Sequence, residues 1–125
     1  MILDSNILIY SLQPGYDSLR IYLAQQEELP FISLITKLEV LGFYRLQANH
    51  KIELEQFFAT SFVLPITDEI INKAIRLRQQ RKRSLGDSII AATGLIYNQP
   101  ILTNNVADFA DVDGLAVISL ASVLS

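Results

Sequence analysis

The sequence predicts an α/β domain with a mostly parallel sheet of four or five short strands, and three observations support this class. Short apolar segments compatible with β-strands alternate with longer segments of helical periodicity. At 125 residues the chain is long enough for one domain and too short for two. Half of the residues are hydrophobic, which excludes a disordered chain. We therefore expect a single domain over residues 1–125.

The first half of the chain predicts two strands and three helices. The strand segments are short and apolar, and the second of them directly follows a proline. The helical segments carry apolar residues three or four positions apart, so these residues share one face of a helix. We expect strands at Met1–Leu3 and Phe31–Ser33, and helices at Tyr16–Gln26, Leu34–Gln47 and Lys51–Ala59.

A third strand is predicted at Phe62–Ile66, and a helix follows it. Pro65 has no backbone N–H, which favours the edge of the sheet or the end of a strand. Thr67 is expected to cap the helix, because acidic residues follow it and anions are favoured in a first helical turn. This helix is expected to end near Lys82.

The last third of the chain predicts one helix and two strands. The helix begins near Gly86–Asp87 and runs to about Tyr97, and it is apolar on almost every side, which predicts burial. Strands are expected at Pro100–Leu102 and at Ala116–Ile118, the second after the turn signal Asp113-Gly114. Because ligands bind at the carboxyl ends of the strands in such sheets, we expect the functional residues there.

The composition restricts the chemistry. The chain has no cysteine and one histidine, so any metal must bind to oxygen ligands or to His50. The net charge of −3 argues against binding of nucleic acid by bulk positive charge. The first residues carry no basic signal region, and no apolar stretch reaches the ~18–20 residues of a membrane span. We expect a soluble cytoplasmic protein without membrane contact.

Four acidic residues interrupt apolar segments near the predicted strand ends: Asp4, Glu39, Asp87 and Asp108. A turn would explain Asp4, a loop would explain Asp108, and a capping box with Ser84 would explain Asp87. Glu39 shares a predicted helix face with apolar residues, so its carboxylate is expected to be desolvated unless it extends to solvent. One shared metal site explains all four acids, because neighbouring carboxylates repel by roughly 4 kcal/mol per pair. Mg²⁺ and Mn²⁺ prefer such ligands.

Four segments of the chain resemble, in order, the four motifs of PIN domains, and they look most like those of the compact VapC-type toxins of prokaryotic toxin–antitoxin pairs. The resemblance covers nearly the whole chain, and four motifs in order at suitable spacing are far more specific than one. The segments are Leu3-Asp4-Ser5-Asn6-Ile7-Leu8, Ile32-Ser33 with Thr36-x-x-Glu39-Val40, Gly86-Asp87-Ser88-Ile89-Ile90-Ala91-Ala92 and Leu102-Thr103-Asn104-Asn105-Val106-Ala107-Asp108-Phe109.

The resemblance implies a Rossmann-like three-layer α/β/α sandwich and an endoribonuclease that depends on Mg²⁺ or Mn²⁺. It also implies one or two metal ions, a homodimer and a small antitoxin partner that covers the active site. In the implied mechanism the metal activates a water, a carboxylate orients or deprotonates that water, and the water attacks an RNA phosphodiester.

The resemblance carries the acidic cluster onto Asp4, Glu39 and Asp87, but the fourth position departs from the family pattern. Many relatives have an aspartate two residues after the motif threonine, where this chain has Asn105, and Asp108 follows three residues later. We expect Asp108 to be the fourth catalytic acid and metal ligand, with Asn105 assisting it.

Three polar residues match supporting positions of the family. These residues orient the acids or bind phosphate in the implied site, although capping of backbone groups would also explain them. They are Ser5, Asn6 and Thr103.

Five of the ten basic residues fall within eight positions, directly before the Asp87 motif. They would form either a solvated helix end or a surface that binds the RNA backbone beside the acidic pocket. The net charge alone argued against binding of nucleic acid. Outside this cluster, however, 5 basic residues stand against 13 acidic ones, so the positive charge is concentrated where RNA could bind. The predicted RNA-binding residues are Arg76, Arg78, Arg81, Lys82 and Arg83.

Three other functions stay open. Asn105 would fit a catalytically degenerate PIN domain that acts as an RNA-binding or protein-interaction module. A phospho-receiver domain also places acids at strand ends, but it needs a late lysine and none follows Lys82. A DNA-directed nuclease would use the same metal chemistry. The aromatic residues Phe43, Tyr44, Phe57 and Phe58 fit a core better than an interface.

Overall fold

The computed structural model describes residues 1–124, in which five parallel strands form a single sheet. The last residue of the predicted domain, Ser125, lies outside the described residues. The strands are β1 (Ile2–Leu3), β2 (Phe31–Ser33), β3 (Phe62–Leu64), β4 (Ile101–Thr103) and β5 (Val117–Ser119). The helices are α1 (Ser5–Ser11), α2 (Asp17–Ala24), α3 (Leu34–Leu41), α4 (Ala48–Ala59), α5 (Asp68–Gln80), α6 (Leu85–Tyr97) and α7 (Leu120–Leu124), and a 3₁₀ turn covers Val106–Asp108.

The helices cover both faces of the sheet, because successive residues of each strand point to opposite sides. Ile2 and Ile101 pack with residues of α5 and α6 on one face. Leu3 and Leu102 pack on the other face with residues of α1, α2, α4 and α7. The fold is therefore the three-layer α/β/α sandwich that was predicted.

The strand order β3-β2-β1-β4-β5 places the switch point of the sheet between β1 and β4. The chain winds from β1 to one edge through β2 and β3, and it returns to pair β4 beside β1 before it continues to β5. Crevices at such switch points, off the carboxyl ends of the strands, are the usual ligand sites of open α/β sheets. Asp4 directly follows β1, and the segment 104–108 directly follows β4.

The predicted elements agree with the structure within a few residues, and two details are confirmed. The strand before Pro65 lies at the edge of the sheet. Thr67 caps α5, and its Oγ1 accepts a hydrogen bond of 3.2 Å from the backbone N–H of Ile70.

The helix predictions differ from the structure in three places. The helix expected to continue to Gln47 ends at Leu41, because Gly42 is its C-cap and a separate helix begins at Ala48. Two short helices were not predicted: α1, which begins directly after β1 because Asp4 caps it, and α7 after β5. The four aromatic residues expected in the core differ in exposure. Phe58 is buried, at 6% exposed, and Phe57 is half-buried. The prediction was wrong for Tyr44, which is 83% exposed, and for Phe43, which is also exposed.

Candidate active site

Asp4 is buried at the carboxyl end of β1 and receives two hydrogen bonds. Its Oδ1 accepts from the backbone N–H of Ser5 at 2.9 Å, and its Oδ2 accepts from the hydroxyl of Thr103 at 2.8 Å. Burial raises the pKa of Asp4, and the charges of Glu39 and Asp108 raise it further, whereas the bonds from Thr103 and Ser5 lower it. Asp4 therefore both caps a helix and faces two other acids.

The residues after β4 are ordered by Thr103, which is fully buried. The backbone N–H of Asn105 donates a hydrogen bond of 2.9 Å to Thr103 Oγ1, so this hydroxyl links Asp4 to the start of the segment that carries Asp108. The side chain of Asn105 is exposed, and that of Asp108 is half-buried. Asn6, also expected to support the site, lies exposed in the first turn of α1.

Glu39 lies on α3 and approaches the site from the side of β2. The hydroxyl of Ser5 donates a hydrogen bond of 2.8 Å to Glu39 Oε1 and lies 3.3 Å from the buried Oγ1 of Thr36. The carboxylate touches Gly86, because a Cβ on that glycine would lie 2.8 Å from Glu39 Oε2. Of the two alternatives for Glu39, the structure agrees with the second: its side chain is exposed and its carboxylate reaches solvent.

Asp87 lies in the first turn of α6, where the capping box suggested by the sequence is present. The backbone N–H of Asp87 donates to Ser84 Oγ at 3.1 Å, and the Asp87 carboxylate is hydrogen-bonded to Ser84. Burial raises the pKa of Asp87, and the charges of Asp4 and Asp108 raise it further, while Ser84 and Arg81 lower it. Asp87 therefore lies in a helix cap and also close to two other acids.

The five predicted RNA-binding residues have different environments. The side chains of Arg76, Arg78 and Lys82 are exposed. Arg81 is partly exposed and forms a salt bridge with Asp111. Arg83 differs from the expectation, because its side chain is 1% exposed and is paired with the same aspartate. A guanidinium so buried is not exposed for RNA to contact.

A cavity of about 250 Å³ connects the basic and acidic residues. Basic side chains, a capping serine and two of the four acids share its wall. Its lining residues are Arg81, Lys82, Arg83, Ser84, Asp87 and Asp108.

The donor set fits a hard divalent cation. Four carboxylates and one amide oxygen are the ligands that Mg²⁺ and Mn²⁺ prefer. Burial, and to a smaller extent the neighbouring acids, raise the pKa values of Asp4 and Asp87, as expected for carboxylates that lack a cation. Within residues 1–124, no three acidic or histidine side chains already converge as a set of metal ligands, so a cation would have to draw these carboxylates together. His50, the one histidine of the sequence, lies on α4.

Comparison with known proteins identifies the family. The model of the PIN domain matches residues 1–115. The chain belongs to the PIN domain family. PIN domains are generally nucleases, and those nucleases generally depend on divalent metals. No curated protein matches the chain significantly.

Solved structures share the whole fold of this PIN domain. A toxin–antitoxin complex from Klebsiella pneumoniae is 29% identical with a TM-score of 0.79, over 94% of this chain and 95% of that one. VapBC from Salmonella typhimurium, bound to DNA, is 20% identical with a TM-score of 0.81 over 94% and 96%. VapBC-1 from nontypeable Haemophilus influenzae is 23% identical with a TM-score of 0.77, over the same shares.

The sequence analysis overlooked one residue beside this site. Asp111 accepts hydrogen bonds from both Arg81 and Arg83, which lie 30 and 28 positions away, and no local motif marks such a pairing. In residues 1–124 of this PIN domain, no helix is long and apolar enough to span a membrane.

Proposed function

We propose that this PIN domain is an endoribonuclease that depends on Mg²⁺ or Mn²⁺ and acts as the toxin of a type II toxin–antitoxin pair in the cytoplasm. The observation that carries the proposal is the placing of four separate acids around the carboxyl ends of the strands: Asp4 follows β1, Ser5 donates to Glu39, and Asp87 and Asp108 line one cavity. A cluster of like charges is costly to fold unless a cation compensates it. A cluster at the usual ligand position of the fold supports a catalytic role.

The residues proposed to hold one or two ions are Asp4, Glu39, Asp87 and Asp108, with the side-chain oxygen of Asn105 assisting. A bound divalent cation supplies a nucleophilic water at neutral pH and neutralises charge on the phosphoryl and leaving oxygens. The half-buried carboxylate of Asp87 is also the proposed group that orients or deprotonates this water. Thr103 and Ser5 hold the carboxylates of Asp4 and Glu39 in place.

The proposed RNA-binding surface consists of Arg76, Arg78 and Lys82. These side chains are exposed, and Lys82 lines the same cavity as Asp87 and Asp108. Cations beside the acids would hold the phosphate backbone on either side of the scissile bond without selecting a base sequence.

RNA cleavage with purified protein tests the proposal. Wild-type protein is expected to cut RNA with Mg²⁺ or Mn²⁺ and to stop when EDTA is added. Asp87→Asn should lower the cleavage rate about 100-fold or more, because it removes the carboxylate proposed to orient or deprotonate the water. The matched control is Asp68→Asn, an exposed aspartate in the first turn of α5. Equal cleavage by wild-type and Asp87→Asn would refute the assignment.

The degenerate module remains the second candidate, and the position of Asn105 favours it. An exposed amide stands where many relatives have a carboxylate, so one metal ligand is neutral. This candidate predicts RNA binding without cleavage in either metal. The Asn105→Asp variant separates the two functions, because cleavage that appears only in this variant would establish that the natural chain is degenerate.

A small antitoxin and a second copy of the chain are the proposed partners. Solved relatives with the same fold are described as toxin–antitoxin complexes. A groove of about 450 Å³ between α2 and α4 offers an apolar surface of the kind that accepts an amphipathic helix, and Leu12, Leu23, Leu29 and Phe57 line it.

Co-expression with the product of the neighbouring reading frame tests the antitoxin partner. The partner is expected to suppress RNA cleavage, and Leu29→Asp should abolish this suppression while Ile75→Asp on α5 should not; both side chains are about half exposed. Suppression that survives Leu29→Asp would exclude this groove. Sedimentation of the isolated chain measures whether it dimerises.

A further inference from the structure

Three charged residues join the loop of Asp108 to the connection between α5 and α6; we call Arg81, Arg83 and Asp111 the arginine clamp. The carboxylate of Asp111 accepts two hydrogen bonds from each arginine, from Arg81 at 2.8 and 3.0 Å and from Arg83 at 2.7 and 3.2 Å. These bonds hold the pKa of Asp111 well below its usual range. Paired bonds from a guanidinium fix direction as well as distance.

The same arginines also bind the backbone of the loop. The carbonyl oxygen of Asp108 accepts hydrogen bonds from Arg81 Nη2 at 3.2 Å and from Arg83 Nη1 at 3.3 Å. Arg81 Nη2 further donates to the carbonyl of Ala107 at 3.2 Å. The clamp therefore contacts Asp108 at its main chain and leaves its carboxylate to the acidic cluster.

Arg83 anchors the clamp in the protein interior. Its Nε donates a hydrogen bond of 3.0 Å to the carbonyl of Leu77 near the end of α5, and its side chain is almost completely buried. The next residue, Ser84, caps α6 and contacts Asp87. One short connection, residues 81–84, thus determines the positions of two of the four acids.

We propose that Arg81 and Arg83 are positioning residues that hold Asp108 toward Asp4 and Asp87, and that Arg81 serves the site in this way rather than by binding RNA. The expected effect of the arginines on metal binding rests on the proposed function. Their effect on the position of the Asp108 loop does not, because it concerns the order of that loop in the protein without metal.

Amide hydrogen exchange of the metal-free full chain tests the positional part. The N–H groups of Asp108, Phe109 and Ala110 bond within the loop to the carbonyls of Asn105 and Val106. In Arg81→Ala we expect their exchange to be about tenfold faster, since the loop loses its outer hydrogen bonds. Arg20→Ala is the matched control, because Arg20 also pairs with an aspartate and donates to loop carbonyls, but in a different part of the surface.

Metal affinity and kinetics test the consequence for the site. Arg81→Ala should weaken Mn²⁺ binding, measured by electron paramagnetic resonance, about tenfold. It should lower kcat and leave KM for RNA nearly unchanged. Arg81→Lys should restore neither the Mn²⁺ affinity nor kcat, because an ammonium group cannot reproduce the paired hydrogen bonds of the guanidinium. An arginine that only bound RNA would give the opposite result, with a raised KM that lysine largely rescues.

The outcomes separate the two proposals. Unchanged exchange in Arg81→Ala overturns the positioning role. If exchange becomes faster but Mn²⁺ affinity is unchanged, the arginines hold the loop but do not contribute to metal binding, and that part of the proposal is overturned. If wild-type protein neither binds Mn²⁺ nor cuts RNA, the proposed function fails, and the exchange rates still decide whether the arginines hold the loop. Because Arg83 is buried, the partly exposed Arg81 is the variant of choice.

Discussion

The hydroxyl of Thr103 donates a hydrogen bond of 2.8 Å to Asp4 Oδ2 across 99 positions of the chain. The same oxygen accepts the backbone N–H of Asn105 at 2.9 Å. A hydroxyl can donate and accept at once, so this side chain fixes both the first acid and the start of the loop that carries Asp108.

Thr103→Val should therefore disturb the site more than the fold. The isosteric valine removes the bond to Asp4 and leaves the Asn105 N–H without its acceptor, at a cost of about 1–3 kcal/mol in the free energy of unfolding. The pKa of Asp4 should rise further, because the lost bond stabilised its charged form. Mn²⁺ affinity should fall about 10- to 100-fold.

Thr93→Val provides the control for this variant. Thr93 is also buried, but its hydroxyl donates to the carbonyl of Ile89 within its own helix. Titration calorimetry with Mn²⁺ should give wild-type affinity for this control. Equal losses of affinity in the two variants would contradict a specific role for Thr103.

Gly86→Ala tests the close contact between α6 and Glu39. The new Cβ would lie 2.8 Å from Glu39 Oε2 and 3.1 Å from Oε1, so the carboxylate must move. Because the obstacle is the end of a flexible, exposed side chain, we expect little loss of stability and a clear loss of Mn²⁺ affinity. Gly94→Ala should show the reverse, since its Cβ would meet the partly buried side chain of Leu115 and the buried side chain of Ile101. Isothermal titration and thermal melting distinguish these effects.

The metal-free protein should become more stable as the pH falls from neutral toward 3.8, the ordinary value for an aspartate. The folded-state pKa values of Asp4 and Asp87 are raised, so the folded protein binds more protons than the unfolded chain over this range. Below that value Asp111 opposes the trend, because its pKa is lowered and its stabilising contribution is lost on protonation.

Urea unfolding at several pH values measures this slope. The double variant Asp4→Asn with Asp87→Asn should flatten it. At neutral pH, added Mg²⁺ should raise the Tm of wild-type protein and have little effect on the double variant. A wild-type stability that is constant between pH 7 and 4 would contradict the raised pKa values.

Lys82→Ala should reduce the salt dependence of RNA binding, with the slope of log K against log salt falling by about 1. Lys82 is exposed in the wall of the cavity that contains Asp87 and Asp108. Lys51→Ala on α4 removes another exposed cation, in a different part of the surface, and should leave the slope unchanged. Filter binding at several salt concentrations in EDTA makes the comparison without cleavage.

The sequence was informative where local chemistry decides the structure. Thr67 was predicted to cap its helix, and a cap at Ser84 was one of the two explanations for Asp87, because a capping residue acts on its own first turn. The helix after Asp4 was omitted although it begins by the same rule, with Ile7 and Leu8 buried on one face. An acid assigned to a metal site can also be a helix cap, and Asp4 is both.

The environment of the basic residues was not predictable, because it depends on contacts between distant segments. The three consecutive cations at 81–83 look alike in the sequence, yet Lys82 is exposed and Arg83 is buried. The difference arises from Asp111, which the fold brings beside them from the far side of α6 and β4. Charge patterns alone do not reveal such partners.

The pairing of Ile2 with Ile101 has a consequence for the newly made chain. The central strand β1 leaves the ribosome first, but its neighbour β4 follows about 5 to 20 s later at ordinary rates of synthesis. Until then Asp4 has neither Thr103 nor Asp108 beside it. The hydrogen bond that joins the first strand end to the loop after β4 therefore cannot form until most of the chain has been translated.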